Sequence, residues 1–164
     1  MKFGIYTLLL ENFMKRRLIF PDNLNFHFDF GWGNGYILLP PNHPLYGKEY
    51  DDIDIKIHGG LTFGEKFNTN NFLEWVEDRE IFGDVTIENY EFFKNYWIIG
   101  FDTGHSGDDL NTCSFDFVLN ETESMRDQCL DDSIEKMKKY KSVYLRKDKL
   151  KKIDASVLAL SSKQ

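Results

Sequence analysis

The stretch Trp97–Phe101, Trp-Ile-Ile-Gly-Phe, carries no polar side chain that could face water. A run that is apolar on both faces reads as a strand covered on both sides, in the interior of a sheet. It leads directly into Asp-Thr-Gly-His-Ser-Gly-Asp-Asp (102–109). Asp102, His105 and Asp108 stand three residues apart there, but Gly104 and Gly107 argue against a helix. A tight loop delivered to the sheet edge is expected.

A second stretch has the same form. Ile53, Ile55 and Ile57 alternate with Asp52, Asp54, Lys56 and His58, a half-buried strand pattern that ends at Gly59-Gly60. Leu61-Thr62-Phe63 reads as the start of another strand. Asn25–Phe30 also alternates, and Gly31-Trp32-Gly33-Asn34-Gly35 supplies turn residues before a return strand at Tyr36–Leu39, which together predict a hairpin. The prolines of Pro40–Gly47 make a rigid loop with His43 and Tyr46 on it. Residues 3–20 are apolar with a basic cluster and fit helix or strand. A short helix is expected at Phe72–Arg79, and short strands at Val85–Ile87 and Ser114–Leu119. Residues 121–141 read as a helix, with Thr122 as N-cap and Met125, Cys129, Leu130, Ile134 and Met137 at helical spacing. The sum is an α+β fold, a mainly antiparallel sheet packed against one long C-terminal helix. It is expected to form one domain over residues 1–145, followed by a basic extension over 146–164.

Charge narrows the function. Residues 1–135 hold 10 Lys+Arg against 25 Asp+Glu, a net of −15, whereas residues 136–164 hold 10 against 2, a net of +8. An acidic body repels a phosphate backbone, so nucleic acid is not an expected partner. The basic tail reads as a solvated helix that offsets the body, with contact to an acidic partner as the alternative. Apolar runs are too short for a membrane span, Met1-Lys2-Phe3 does not open a signal peptide, and two cysteines form no CxxC pair. A reduced, cytoplasmic protein is expected. Rossmann, Walker, nucleophile-elbow and HExxH templates find no match. Cys113 lies close to His105 in sequence, but a buried structural thiol is the ordinary reading of such a residue.

Carboxylates with imidazoles are the ligand set of zinc, manganese or iron(II), and equally of an acid–base pair or of a loop pinned by its aspartates. If the two His/Gly loops meet at one sheet edge, His58, Asp102 and His105 form a two-histidine, one-carboxylate set for a divalent metal. In that arrangement Asp108 and His105 are the candidate catalytic groups. Thr62 and the amides of Gly59 and Gly60 would grip a ligand, while His43, Tyr46 and Trp97 line it.

Three pieces, Gly-Tyr-Ile-Leu-Leu-Pro-Pro-Asn-His-Pro-Leu-Tyr-Gly (35–47), Ile-His-Gly-Gly-Leu-Thr-Phe (57–63) and Trp-Ile-Ile-Gly-Phe-Asp-Thr-Gly-His-Ser-Gly-Asp (97–108), resemble a family of small uncharacterised proteins common in bacteriophages and prophages. The resemblance covers residues 34–140; the N-terminal segment and the basic extension depart from it. It implies a phage accessory origin, with anti-defence work as one role, and a site shared by the three motifs. A nucleotide-like small molecule, sequestered or hydrolysed with metal help, is the expected ligand. A non-catalytic acidic inhibitor of a host protein is the alternative, and a homo-oligomer is compatible with either.

Overall fold

The computed structural model describes residues 4–12, 30–77 and 79–130. The chain divides into two compact units, Met1–Cys129 and Leu130–Gln164. All that follows concerns the first. The expected strand over residues 25–29, the basic cluster at 15–17, the second half of the long helix and the extension over 146–164 lie outside the described residues.

Among the described residues, five strands form one sheet: β1 (Tyr6–Glu11), β2 (Gly33–Leu39), β3 (Phe63–Lys66), β4 (Ile81–Gly83) and β5 (Trp97–Phe101). Their order is β3-β5-β2-β1-β4, and every pairing is antiparallel. Helix α1 (Thr69–Val76) joins β3 to β4, and residues 115–129 form helix α2. The fold is α+β, as the sequence predicts.

Period-two alternation sorts the sheet's side chains onto two covered faces. Leu9, Ile37, Leu39, Ile99 and Phe101 lie in one core with Val118, Met125 and Cys129 of α2. Leu8, Leu10, Tyr36, Leu38 and Ile98 lie in a second with Phe72 of α1 and the aromatics Phe67, Phe93 and Tyr96. Strand β5 therefore sits between β3 and β2 with both faces covered, which is why its sequence is apolar throughout. Among the described residues, no helix is long and apolar enough to cross a membrane.

Several expectations are corrected. The open segment at the N-terminus is a strand over Tyr6–Glu11. The glycines Gly33 and Gly35 belong to β2 and not to a turn, and they pair with Glu11 and Leu9. A Cβ on Gly35 would run into the Thr122 hydroxyl, so the glycine lets α2 approach the sheet. Val85–Ile87 is no strand: the amides of Asp84 and Val85 both turn to the Thr7 carbonyl, and the Asp84 carboxylate takes the Thr7 amide and hydroxyl. The ladder at that edge is Ile81–Gly83.

Ser114–Leu119 is not a strand either, since α2 already runs from residue 115. Ser114 is its cap, with the Phe117 amide donating to Oγ at 3.3 Å. The buried stripe of the helix is Val118, Thr122, Met125 and Cys129, all fully covered. Thr122 hides this stripe from a reading of polarity. It is no cap but a core residue whose hydroxyl donates to the Val118 carbonyl at 2.7 Å.

Candidate functional site

Three chain segments meet at one end of the strands. Strand β5 releases the loop 102–112 after Phe101, the loop at Gly59-Gly60 leads into β3, and β2 begins there. The Thr62 amide donates to the Gly100 carbonyl, and the Gly31 amide to the Thr103 carbonyl. The buried Thr103 hydroxyl donates to the Gly33 carbonyl at 2.8 Å. These bonds fix the loop after β5 against the start of β2.

The segment 53–58 belongs to no ladder, and His58 stands in a turn. Its alternation is real, with Ile53, Ile55 and Ile57 against the α2-side core. Besides local turns, such as the Ile55 amide on the Ile53 carbonyl, its backbone partners are side chains of α2. The Gln128 amide group accepts from the Lys56 N–H at 2.9 Å and donates to the Lys56 carbonyl at 3.0 Å. The Glu121 carboxylate accepts from the His58 N–H at 2.7 Å. One helix face thus takes the place of a neighbouring strand and sets the position of His58.

His58 Nε2 reaches both oxygens of Asp108, at 3.0 and 3.1 Å. Cys113 Sγ lies 3.8 Å from the same nitrogen. Phe117 meets the imidazole edge-on, with centroids 5.3 Å apart. The Asp108 carboxylate also accepts from the His105 N–H at 3.0 Å. Asp108 and Cys113 are buried, whereas the His58 side chain keeps 27% of its surface exposed. Burial pushes the Asp108 carboxyl up, but the hydrogen bonds from His58 and the His105 amide outweigh it and hold the group below the usual carboxylate range. For Cys113, burial acts first and the facing Asp108 charge adds to it, so its thiol stands above the ordinary value despite a hydrogen bond from Thr112 that favours the thiolate. A thiol raised in this way is not a preformed nucleophile.

One ligand atom each from His58, Asp108 and Cys113 lies within 4.8 Å of the other two, and the three could hold a metal ion. The trio expected from sequence was His58, Asp102 and His105. Asp102 Oδ1 instead accepts from the Gly104 N–H at 2.9 Å and stands 3.9 Å from His105 Nε2, beyond hydrogen-bond length. The His105 ring is 5.5 Å from that of His58 and lies over Gly59, where a Cβ would meet Nε2. Gly59 also has φ +65°, so both its backbone and its surroundings require glycine. Asp109 pins the loop, accepting from the amides of Asn111 and Thr112 at 2.8 and 2.7 Å.

The remaining expected residues are placed as follows. The Gly60 amide is committed to the Ile57 carbonyl, and that of Thr62 to Gly100. Both nitrogens of the buried His43 are engaged, Nδ1 by the Leu45 amide at 3.1 Å and Nε2 by the Cys129 carbonyl at 3.2 Å. Tyr46 packs on Trp97, centroids 5.8 Å apart. Trp97 pairs with Leu39 and Phe101 with Gly35, so this aromatic pair stands at the end of β5 opposite the Asp102 loop. A strand of this length separates the two ends by roughly 13 Å. Cys113 and Glu121 complete the His58 cluster, and the sequence pattern does not assign either to it. The start of α2 at 115 is what places Cys113 and Glu121.

No protein-family model, no curated protein and no solved structure matches this chain.

Proposed function

We propose that the protein binds a nucleotide-like small molecule at the loop cluster around His58 and Asp108, with a divalent cation in the cluster, and sequesters that molecule or hydrolyses it. The observation that carries the reading is the meeting of the two His/Gly loops: His58 on Asp108, and His105 over Gly59. The acidic body gives the cation a purpose, because a phosphate group would otherwise meet net repulsion. A divalent ion would polarise a phosphoryl oxygen and acidify a bound water. His105, with Asp102 3.9 Å from its Nε2, is the group for proton transfer in the hydrolytic version. Two cysteines that form no CxxC pair suit a reducing compartment, so we place the protein in the cytoplasm of the host cell, as a phage-type accessory protein.

Metal analysis and native mass spectrometry of the purified protein test the reading. A bound metal and a small-molecule adduct, both lost in His58→Ala and Asp108→Ala with the circular dichroism unchanged, are expected. Wild-type protein free of metal and adduct, yet fully active, overturns it.

A second reading, an acidic inhibitor of a host protein, draws on the exposed run Glu49, Asp51, Asp52 and Asp54. Under it, His58→Ala and Asp108→Ala keep the activity, and neutralising that run removes it.

A further inference from the structure

We infer that the cation site is of the zinc class, with Cys113 as a thiolate ligand beside His58 Nε2 and the Asp108 carboxylate and a fourth position left open. The inference rests on the reading that this cluster holds a divalent cation, and adds which metal, through which atoms and with what vacancy.

The donor set decides the class. Magnesium and calcium require oxygen ligands throughout, and two of these three atoms are nitrogen and sulfur. One thiolate, one carboxylate and a neutral imidazole give a charge of −2, which neutralises a dication in a largely covered site. Asp108 is 6% and Cys113 2% exposed. The spacing agrees. With ordinary zinc bond lengths, a tetrahedron sets N, O and S ligand atoms about 3.3 to 3.6 Å apart. Here His58 Nε2 stands 3.0 and 3.1 Å from the Asp108 oxygens and 3.8 Å from Cys113 Sγ. Without metal, hydrogens on Nε2 and Sγ hold the three groups together. On binding, the thiol proton leaves to solvent, and the imidazole gives up the hydrogen on Nε2 and carries its single proton on Nδ1.

The outer contacts have the form that supports a metal ligand. Asp108 Oδ2 is tied by the His105 amide, which leaves Oδ1 for the metal, and Glu121 holds the backbone of His58. Three protein ligands on zinc are the pattern of a site that keeps a position for water or substrate. The partial exposure of His58 puts that position on the solvent side.

Cobalt(II) titration of the full, metal-stripped chain in reducing buffer tests this. One equivalent is expected to give the visible bands of a four-coordinate ion and a sulfur-to-cobalt charge-transfer band in the near ultraviolet, both displaced by zinc. Cys113→Ser should lose the charge-transfer band and weaken binding by more than about tenfold, while Cys129→Ser keeps the band. Where Cys113→Ser does not fold, the presence or absence of the band in wild-type protein, and its loss in His58→Ala, decide the matter. Stoichiometric cobalt with no sulfur band, or a band that survives in Cys113→Ser, overturns this inference and leaves the divalent-cation reading standing. No binding of cobalt or zinc at all overturns both.

Discussion

His58 and Asp108 are fifty residues apart in sequence, yet Nε2 of the first lies 3.0 and 3.1 Å from the two carboxylate oxygens of the second. The contact joins the loop before β3 to the loop after β5. It exists because Glu121 and Gln128 hold residues 56–58 in place. Asp108 also takes the His105 amide and the Cys113 thiol, so removing its carboxylate leaves three donors without their acceptor.

Asp108→Ala should therefore destabilise the metal-free protein by about 1–3 kcal/mol, the usual cost of stranding covered donors. His58→Ala should cost less, because its ring is partly exposed. A double-mutant cycle measured by urea denaturation in the presence of chelator checks the coupling. Additive effects within about 0.3 kcal/mol would show that the contact carries no energy.

Gly59 and Gly60 separate two causes that are usually confounded. Both have positive φ, +65° and +81°, so alanine at either costs about 1–2 kcal/mol of backbone strain. A Cβ on Gly60 meets open space, whereas one on Gly59 enters the His105 ring. Gly60→Ala should show the strain alone, and Gly59→Ala a loss on the order of 3 kcal/mol. His105→Ala in the Gly59→Ala background should recover the difference. Equal losses at the two glycines would contradict the packing described.

What was legible in the sequence follows from how local each signal is. The apolar run at Trp97–Phe101 announces a covered strand by itself, and the loops bearing His58 and Asp108 announce themselves by their glycines. Cys113 and Glu121 do not, because their roles depend on α2 starting at 115. Three aromatic or aliphatic residues in alternation, Phe115, Phe117 and Leu119, disguise that start as a strand. Ile53–His58 is half legible. Which side chains turn inward is fixed by alternation, but whether the backbone pairs with a strand or with glutamine and glutamate side chains leaves no mark on the segment itself. The aromatic pair Tyr46 and Trp97 was joined to the site by motif order, whereas strand length puts it at the far end of β5.

Tyr36 gives the sheet a pH dependence at the alkaline end. Burial raises its phenol above the ordinary value, the Asn34 hydrogen bond and the Arg79 charge lower it, and Asp102 raises it slightly. In the unfolded chain the group ionises near about pH 10. A folded value above the unfolded one means that the contribution is complete below about pH 10 and is lost as pH rises through the folded value. Stability measured by urea denaturation should fall over that window. Tyr96, also raised by burial, acts in the same direction. Tyr36→Phe should flatten the fall without abolishing it, and an unchanged slope would remove Tyr36 as a cause.

Gln128 holds the site loop more than it holds the fold. Its amide group spans the N–H and the carbonyl of Lys56 at 2.9 and 3.0 Å, an exchange of two bonds of the kind a strand neighbour would make. Both bonds are exposed, so Gln128→Ala should cost only about 1 kcal/mol of global stability. The local effect should be larger: amide hydrogen exchange at Lys56 and His58 should accelerate while that of Ile98 and Ile99 in β5 keeps pace with global stability alone. If the cation centre depends on where this loop is held, cobalt affinity should fall along with the protection of the His58 amide. Gln128→Glu keeps the acceptor for the Lys56 N–H and loses the donor to its carbonyl, so it should fall between wild type and Gln128→Ala in both readouts. Unaltered exchange at Lys56 in Gln128→Ala would show that the loop holds its place without the helix.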